Sequence, residues 1–178
     1  ALSAGPTLPG HEHTTWLDRL ERDLDNIGAA IDWLLSTGRA EEALRMISAL
    51  ERFWRGHAHV SEARRFLAMG LALATDAPDD LRADALWTAA RLAAGQSDWD
   101  AAVPMLEEAQ MSFRAQGRKR ELIFALSELG SIALRRNDAE RAGELCDEAL
   151  DIARDLGDPR ATSAVLAILS DVERTRGE

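Results

Sequence analysis

The stretch "LGSIALRRNDAERAGELCDEAL", residues 129–150, repeats the side-chain sizes of "AARLAAGQSDWDAAVPMLEEAQ", residues 89–110, at a distance of forty. Gly130 falls on Ala90, Ala142 on Ala102 and Ala149 on Ala109. Leu145 falls on Met105, Cys146 on Leu106, and Asp138 on Asp98. A further forty residues put Leu169-Ser170 on Leu129-Gly130, and stepping back thirty-nine from Ala102 gives Ala63, with Phe66, Leu67 and Gly70 in matching places. Two backbones approach closely only where the side chain between them is small, because interaxial distance follows the contact residues. A period of small and large columns therefore describes units that cross at fixed points. A pair of helices cannot bury its own apolar face, whereas a stack of pairs can.

The local patterns agree with helix pairs. Ala142, Leu145, Cys146, Ala149, Ile152, Ala153 and Leu156 recur at three- and four-residue steps, which is one face of a helix. Leu122, Leu126, Leu129 and Ala133 do the same one helix earlier. The pattern predicts about nine helices, near 12–23, 25–36, 40–55, 59–74, 79–95, 98–115, 119–136, 138–155 and 160–176. Between them lie Gly38, Pro78-Asp79, Asp98, Asp138 and Gly157-Asp158-Pro159, residues that stop or start helices. Tyrosine is absent, aromatics are 5%, and no period-two strand pattern survives, so the fold class is all-α.

Composition narrows the function. At 46% hydrophobic and 29% charged the chain is a folding sequence rather than a disordered one. Its net charge of −10 opposes direct contact with nucleic acid, which needs Lys and Arg against phosphates. No apolar run reaches the roughly 20 residues of a membrane span, and "ALSAGPTLPG" is no signal peptide. The single Cys146 fits a reducing, cytoplasmic setting. The absence of an initiating Met leads us to expect a piece of a longer chain.

The spaced alanines and "LSELG" through Gly130 resemble the tetratricopeptide repeat (TPR). Trp54 takes its aromatic place in an earlier unit, while Ala93 and Ala133 stand where an aromatic is usual, Glu51 occupies a small position, and the period is forty rather than thirty-four. The resemblance implies a helical-hairpin solenoid wound as a right-handed superhelix, with residues 40–178 as repeats and the last repeat truncated. Residues 1–10 are expected to be a linker, and 11–39 N-terminal capping helices.

Residues 16–67 carry a second resemblance. Trp16-Leu17, Leu20-Glu21, Asp25-Asn26, Ala30-Ile31-Asp32-Trp33-Leu34 and Arg52-Phe53-Trp54 occur in the order found in LuxR-type and related signal-transducing ATPase regulators of bacteria. The resemblance implies a recognition region of a transcriptional regulator whose nucleotide-binding and DNA-binding modules lie elsewhere; this stretch has no G-x-x-x-x-G-K-[ST] loop. The alternative is a free-standing adaptor that binds an acidic peptide in its inner groove.

No constellation points to catalysis, a cofactor or a metal. His11-x-His13 and His57-x-His59 are spaced so that, on a helix, each pair splits to different sides. Cys146 sits on an apolar stripe with no base beside it. Trp33 and Trp54 are expected in the core, and Trp99 in a gap between units. The columns that face inward in the repeat collect Arg45, Arg52, Arg55, Trp87, Arg91, Glu128, Ser131, Arg135 and Asp171. An Arg-rich groove with one exposed indole suits an acidic segment of a partner protein or of the parent chain, since a guanidinium pairs carboxylates in a fork. The competing expectation is that these arginines pair with neighbouring acids. The last helix presents Ser163, Leu166, Ser170 and Glu173 to its missing partner, a face polar enough that the chain is expected to be mainly monomeric.

Overall fold

The computed structural model describes residues 20–56 and 59–177, which contain helical residues at 20–22, nine further helices and no strand. The nine are α1 Leu24–Ser36, α2 Ala40–Ala49, α3 Glu51–Gly56, α4 Val60–Leu73, α5 Asp79–Gly95, α6 Trp99–Ala115, α7 Lys119–Arg135, α8 Ala139–Leu156 and α9 Pro159–Gly177. From α4 onward each helix packs on the next; in addition α2 touches α5 and α7 touches α9. The array is an all-α, TPR-like stack of hairpins: α2–α3 with α4, α5 with α6, α7 with α8, and α9 opening a further unit.

The forty-residue period has a local cause. Backbone φ is positive at Ser97, Gly117, Asn137 and Gly157, so a left-handed residue recurs every twenty positions. Each ends a helix in the same way. The N–H of the following residue donates to the carbonyl five residues back: Asp98 to Ala93, Arg118 to Phe113, Asp138 to Ala133 and Asp158 to Ala153, at 2.9–3.1 Å. This is the Schellman closure, and it satisfies carbonyls the helix end would strand. Gly38 (φ 76°) closes α1 alike. A helix of 17 or 18 residues plus one such turn makes half a repeat.

Three of the four turns then supply a cap. The carboxylate of Asp98 accepts from Ala101 N–H (3.3 Å) and that of Asp138 from Arg141 N–H (3.0 Å). Asp158 accepts from the N–H groups of Arg160 and Ala161, both at 3.1 Å, and from the Arg120 guanidinium at 2.7 Å. The Ala161 N–H first, and Arg120 next, hold the Asp158 carboxyl below its ordinary value. A carboxylate depressed in the folded state adds stability that is complete above its unfolded pKa and lost as pH falls through the folded one. Asp158→Ala should therefore lower the melting temperature at neutral pH and flatten its decline as pH falls through the acid range. Thermal melts across that range check this; a decline parallel to the wild type would show that the ionised cap contributes nothing.

The core runs along the stack. Phe66, Leu67, Ala85, Leu92, Ala102, Leu106, Leu126, Cys146 and Val165 are all fully buried, and the small columns lie where helices cross. A Cβ on Gly130 would stand 2.6 Å from Cys146 Sγ and 3.4 Å from the Ala142 carbonyl; one on Gly70 would stand 2.6 Å from Leu44 Cδ2. The repeat register thus places α7 directly against α8 and α4 against α2.

Two expectations fail. The segment 40–55 is not one helix: it breaks at Leu50, whose N–H bonds to Ile47 O at 3.1 Å in a tightened turn, and restarts as α3. Phe53 and Trp54, adjacent in sequence, are both fully buried after the break. Both lie on α3, where adjacent positions diverge by about 100°, so the short helix is covered over a wide arc. Trp33 is not core either. It is 54% exposed, with the Arg39 guanidinium 5.0 Å from its ring centre, because α1 turns Ile31, Leu34 and Leu35 inward instead.

Ser163, Leu166, Ser170 and Glu173 of α9 are all exposed, while Ala161, Val165 and Val172 are buried. The expected linker and the start of the capping helices lie outside the described residues.

Candidate functional site

Between α5 and α7 the inner surface opens into two adjoining hollows. Both are built mainly from first helices of hairpins, with the α5–α6 turn closing one end. The first, of about 420 Å³, is walled by Trp87 and Arg91 of α5, Phe124 and Glu128 of α7 and Ile168 of α9, with Arg120 and Glu121 at its rim. The second, of about 400 Å³, is walled by Arg55, Arg91, Trp99, Glu128, Ser131 and Arg135. Arg91, Glu128 and Ser131 belong to both, so the two form one continuous groove.

Its halves differ chemically. Trp87, Phe124 and Ile168 give the first an apolar floor. Trp87 meets buried Phe113 edge-on at 6.5 Å, which fixes the indole from behind. Phe124 stands 46% exposed beside it. The second half is a ring of charge and hydroxyl.

Arg91 is the hinge of the arrangement. Its guanidinium lies 5.1 Å from the Trp87 ring centre and 3.0 Å from Glu51 Oε1; Arg55 reaches the same oxygen at 3.3 Å. Burial pulls Arg91 below its ordinary pKa, and Glu51 opposes that pull. Glu51, which stands at a small position of the repeat, is thereby explained: its half-buried carboxylate answers the arginines of α3 and α5.

Of the nine residues expected to face inward, Arg55, Trp87, Arg91, Glu128, Ser131 and Arg135 line the groove. Arg45, Arg52 and Asp171 do not. Arg45 pairs with Glu41 at 3.4 Å, Asp171 bonds to Arg174, and Arg52 is exposed on α3 beyond the hollows. The groove is consequently less basic than a list of arginines implies. Arg55 and Arg91 share the single carboxylate of Glu51, and among the described residues Arg135 is the groove arginine that makes no ion pair.

Sequence reasoning missed Arg120, Phe124 and Ile168. The signal was there. Arg120, Phe124, Glu128, Ser131 and Arg135 descend α7 in steps of three and four, and Ile168 lies one forty-residue period after Glu128.

The other candidates fall away. Cys146 is fully buried, and burial pushes its thiol up to about 11. His59 Nε2 lies 3.1 Å from Glu21 Oε1, and the other three histidines lie outside the described residues. Among the described residues no three His, Cys, Asp or Glu side chains gather as metal ligands, and no helix is long and apolar enough to cross a membrane.

Comparison with known proteins gives two kinds of likeness. The chain is 29% identical, over 177 aligned positions, to "Putative HTH-type transcriptional regulator Mb0914c" of Mycobacterium bovis and to "Putative HTH-type transcriptional regulator Rv0890c" of Mycobacterium tuberculosis. The match covers 89% of this chain and 19% of each relative, so the chain spans about a fifth of their length. In three dimensions it superposes on the crystal structure of TPR-like repeats from a Podosopora anserina protein named as a kinesin light chain, with a TM-score of 0.61, 16% identity, and coverage of 90% of this chain and 88% of that one; a point-substituted form of the same repeats gives 0.62. No family model matches the chain.

Proposed function

We propose that this chain is the recognition region of a larger cytoplasmic transcriptional regulator of the LuxR-type, signal-transducing ATPase kind. In this reading residues 11–39 cap the array, residues 40–178 form the repeats, and the chemistry of nucleotide and DNA binding belongs to modules elsewhere in the parent chain. The region itself is not an enzyme. It binds a protein segment, from a partner or from the parent chain, and makes no direct contact with nucleic acid.

One observation carries the reading: a TPR-like array with an amphipathic inner groove matches, over most of its length, a fifth of proteins named as HTH-type regulators. TPR-like surfaces serve recognition generally, and the fold alone does not choose the partner. A charge of −10 keeps the region away from phosphate backbones and leaves DNA to another module.

The test uses the full-length parent regulator. Trp87→Ala combined with Arg135→Glu should remove the response of its target promoter to inducing conditions, while the purified protein still shifts operator DNA. An undiminished promoter response would show that the groove is not the recognition element.

A further inference from the structure

The groove is polarised along its length, and the polarity specifies an occupant. Phe124 and Arg135 stand on the same side of α7, eleven residues apart. At 1.5 Å per residue that separation is about 16 Å. An extended chain covers it in about five residues, at roughly 3.3 Å each. At the Phe124 end the wall is apolar, with Trp87 and Ile168 opposite. At the other end Arg135 is a cation that makes no ion pair among the described residues. Between them stands Glu128, which makes no salt bridge among the described residues and shares the middle of the groove with Ser131 and with Arg91, whose guanidinium is held by Glu51.

We propose, resting on the recognition reading above, that the groove takes an extended peptide segment in which a bulky apolar residue and an acidic residue are separated by about four to six positions, with neutral or basic residues between. The apolar side chain enters between Trp87 and Phe124. The carboxylate meets Arg135. The middle of the segment passes Glu128, where a second carboxylate would be repelled and a lysine or arginine would be matched. A uniformly acidic peptide is therefore a poor occupant, although a tally of groove arginines would favour it: Glu51 offsets one of those charges, Asp158 holds Arg120, and Glu128 stands in the middle of the groove.

The experiment measures binding of fluorescein-labelled decapeptides to the 178-residue chain by fluorescence polarisation. Each peptide carries one Leu or Phe and one Asp in a Ser/Gln/Ala background, with the two separated by one to eight positions, and a poly-Asp peptide with the same Leu serves as comparison. Affinity should peak at a separation near five and exceed that of the poly-Asp peptide. Arg135→Glu should weaken the best peptide about tenfold and erase the dependence on Asp, as expected for a charge-assisted contact. Phe124→Ala should erase the dependence on Leu or Phe instead. Arg45→Glu, outside the groove, should change neither; circular dichroism confirms that each variant is folded. A flat dependence on separation, a preference for poly-Asp, equal binding by the Arg135 variant, or no binding by any peptide would each overturn the proposal. A promoter response that depends on Trp87 and Arg135 beside a flat peptide series would leave the recognition reading standing and this proposal rejected. The converse pair of results, a peaked series with an unchanged promoter response, would reject the recognition reading alone.

Discussion

Trp54→Ala should lower the stability of the folded chain by about 3–5 kcal/mol, the usual cost of emptying a large aromatic site in a core. Trp54 is fully buried, packs edge-on against Phe53 at 5.2 Å, and donates its indole N–H to Ile47 O at 3.1 Å. Removing it leaves a cavity at the α2–α3 break and takes a donor from that carbonyl, two costs that add. For a chain of this length the loss corresponds to a fall in melting temperature of roughly 6–20 °C. Trp33→Ala is the natural contrast. Its ring is more than half exposed and holds Arg39 as an exposed cation–π contact, an interaction of about 0.5–1 kcal/mol. Chemical denaturation of the two variants side by side checks both values. Equal losses would mean that Trp54 is not seated as described.

Ala142→Leu should cost about 1–3 kcal/mol by overpacking. Ala142 is fully buried where α8 crosses α7, and its carbonyl would already lie 3.4 Å from any carbon placed on Gly130. Cys146 gives a convenient reporter at that crossing. Its thiol is buried and pushed up to about 11, so alkylating reagents reach it only when the crossing opens. The Ala142 variant should melt earlier and label faster at Cys146. An unchanged melting temperature with unchanged labelling would mean that the forty-residue register does not place Ala142 at a tight contact.

These two predictions fall on opposite sides of what a linear sequence carries. The Ala142 contact was legible, because a size pattern repeated at forty residues has few causes other than repeated helix crossings. Helix bounds from 79 onward agree with the periodicity to within a residue, since Schellman turns every twenty positions and aspartate caps are local chemistry, and local chemistry is written locally. The polar character of the outer face of α9 was likewise readable from its own side chains.

The burial of Trp54 was expected and holds, whereas the exposure of Trp33 was not legible. Both are large and apolar, both lie on amphipathic helices, and only the packing of α1 and the break at Leu50 determine which one is covered. The groove divides in the same way. Its columns follow from helical period, which is why Trp87, Arg91, Glu128, Ser131 and Arg135 fall along its walls, and Arg120 and Phe124 could have been read from the same column. Which arginines remain unmatched was beyond reach: Glu51 and Arg91 are forty residues apart, and their ion pair exists because α3 and α5 are brought together in the stack. Sequence by itself determined the elements and their repeat, since hydrogen bonds between near neighbours and side-chain period set both. The tertiary structure decided charge and exposure in the groove, because electrostatic pairing and burial depend on distances between residues that the chain joins only by folding.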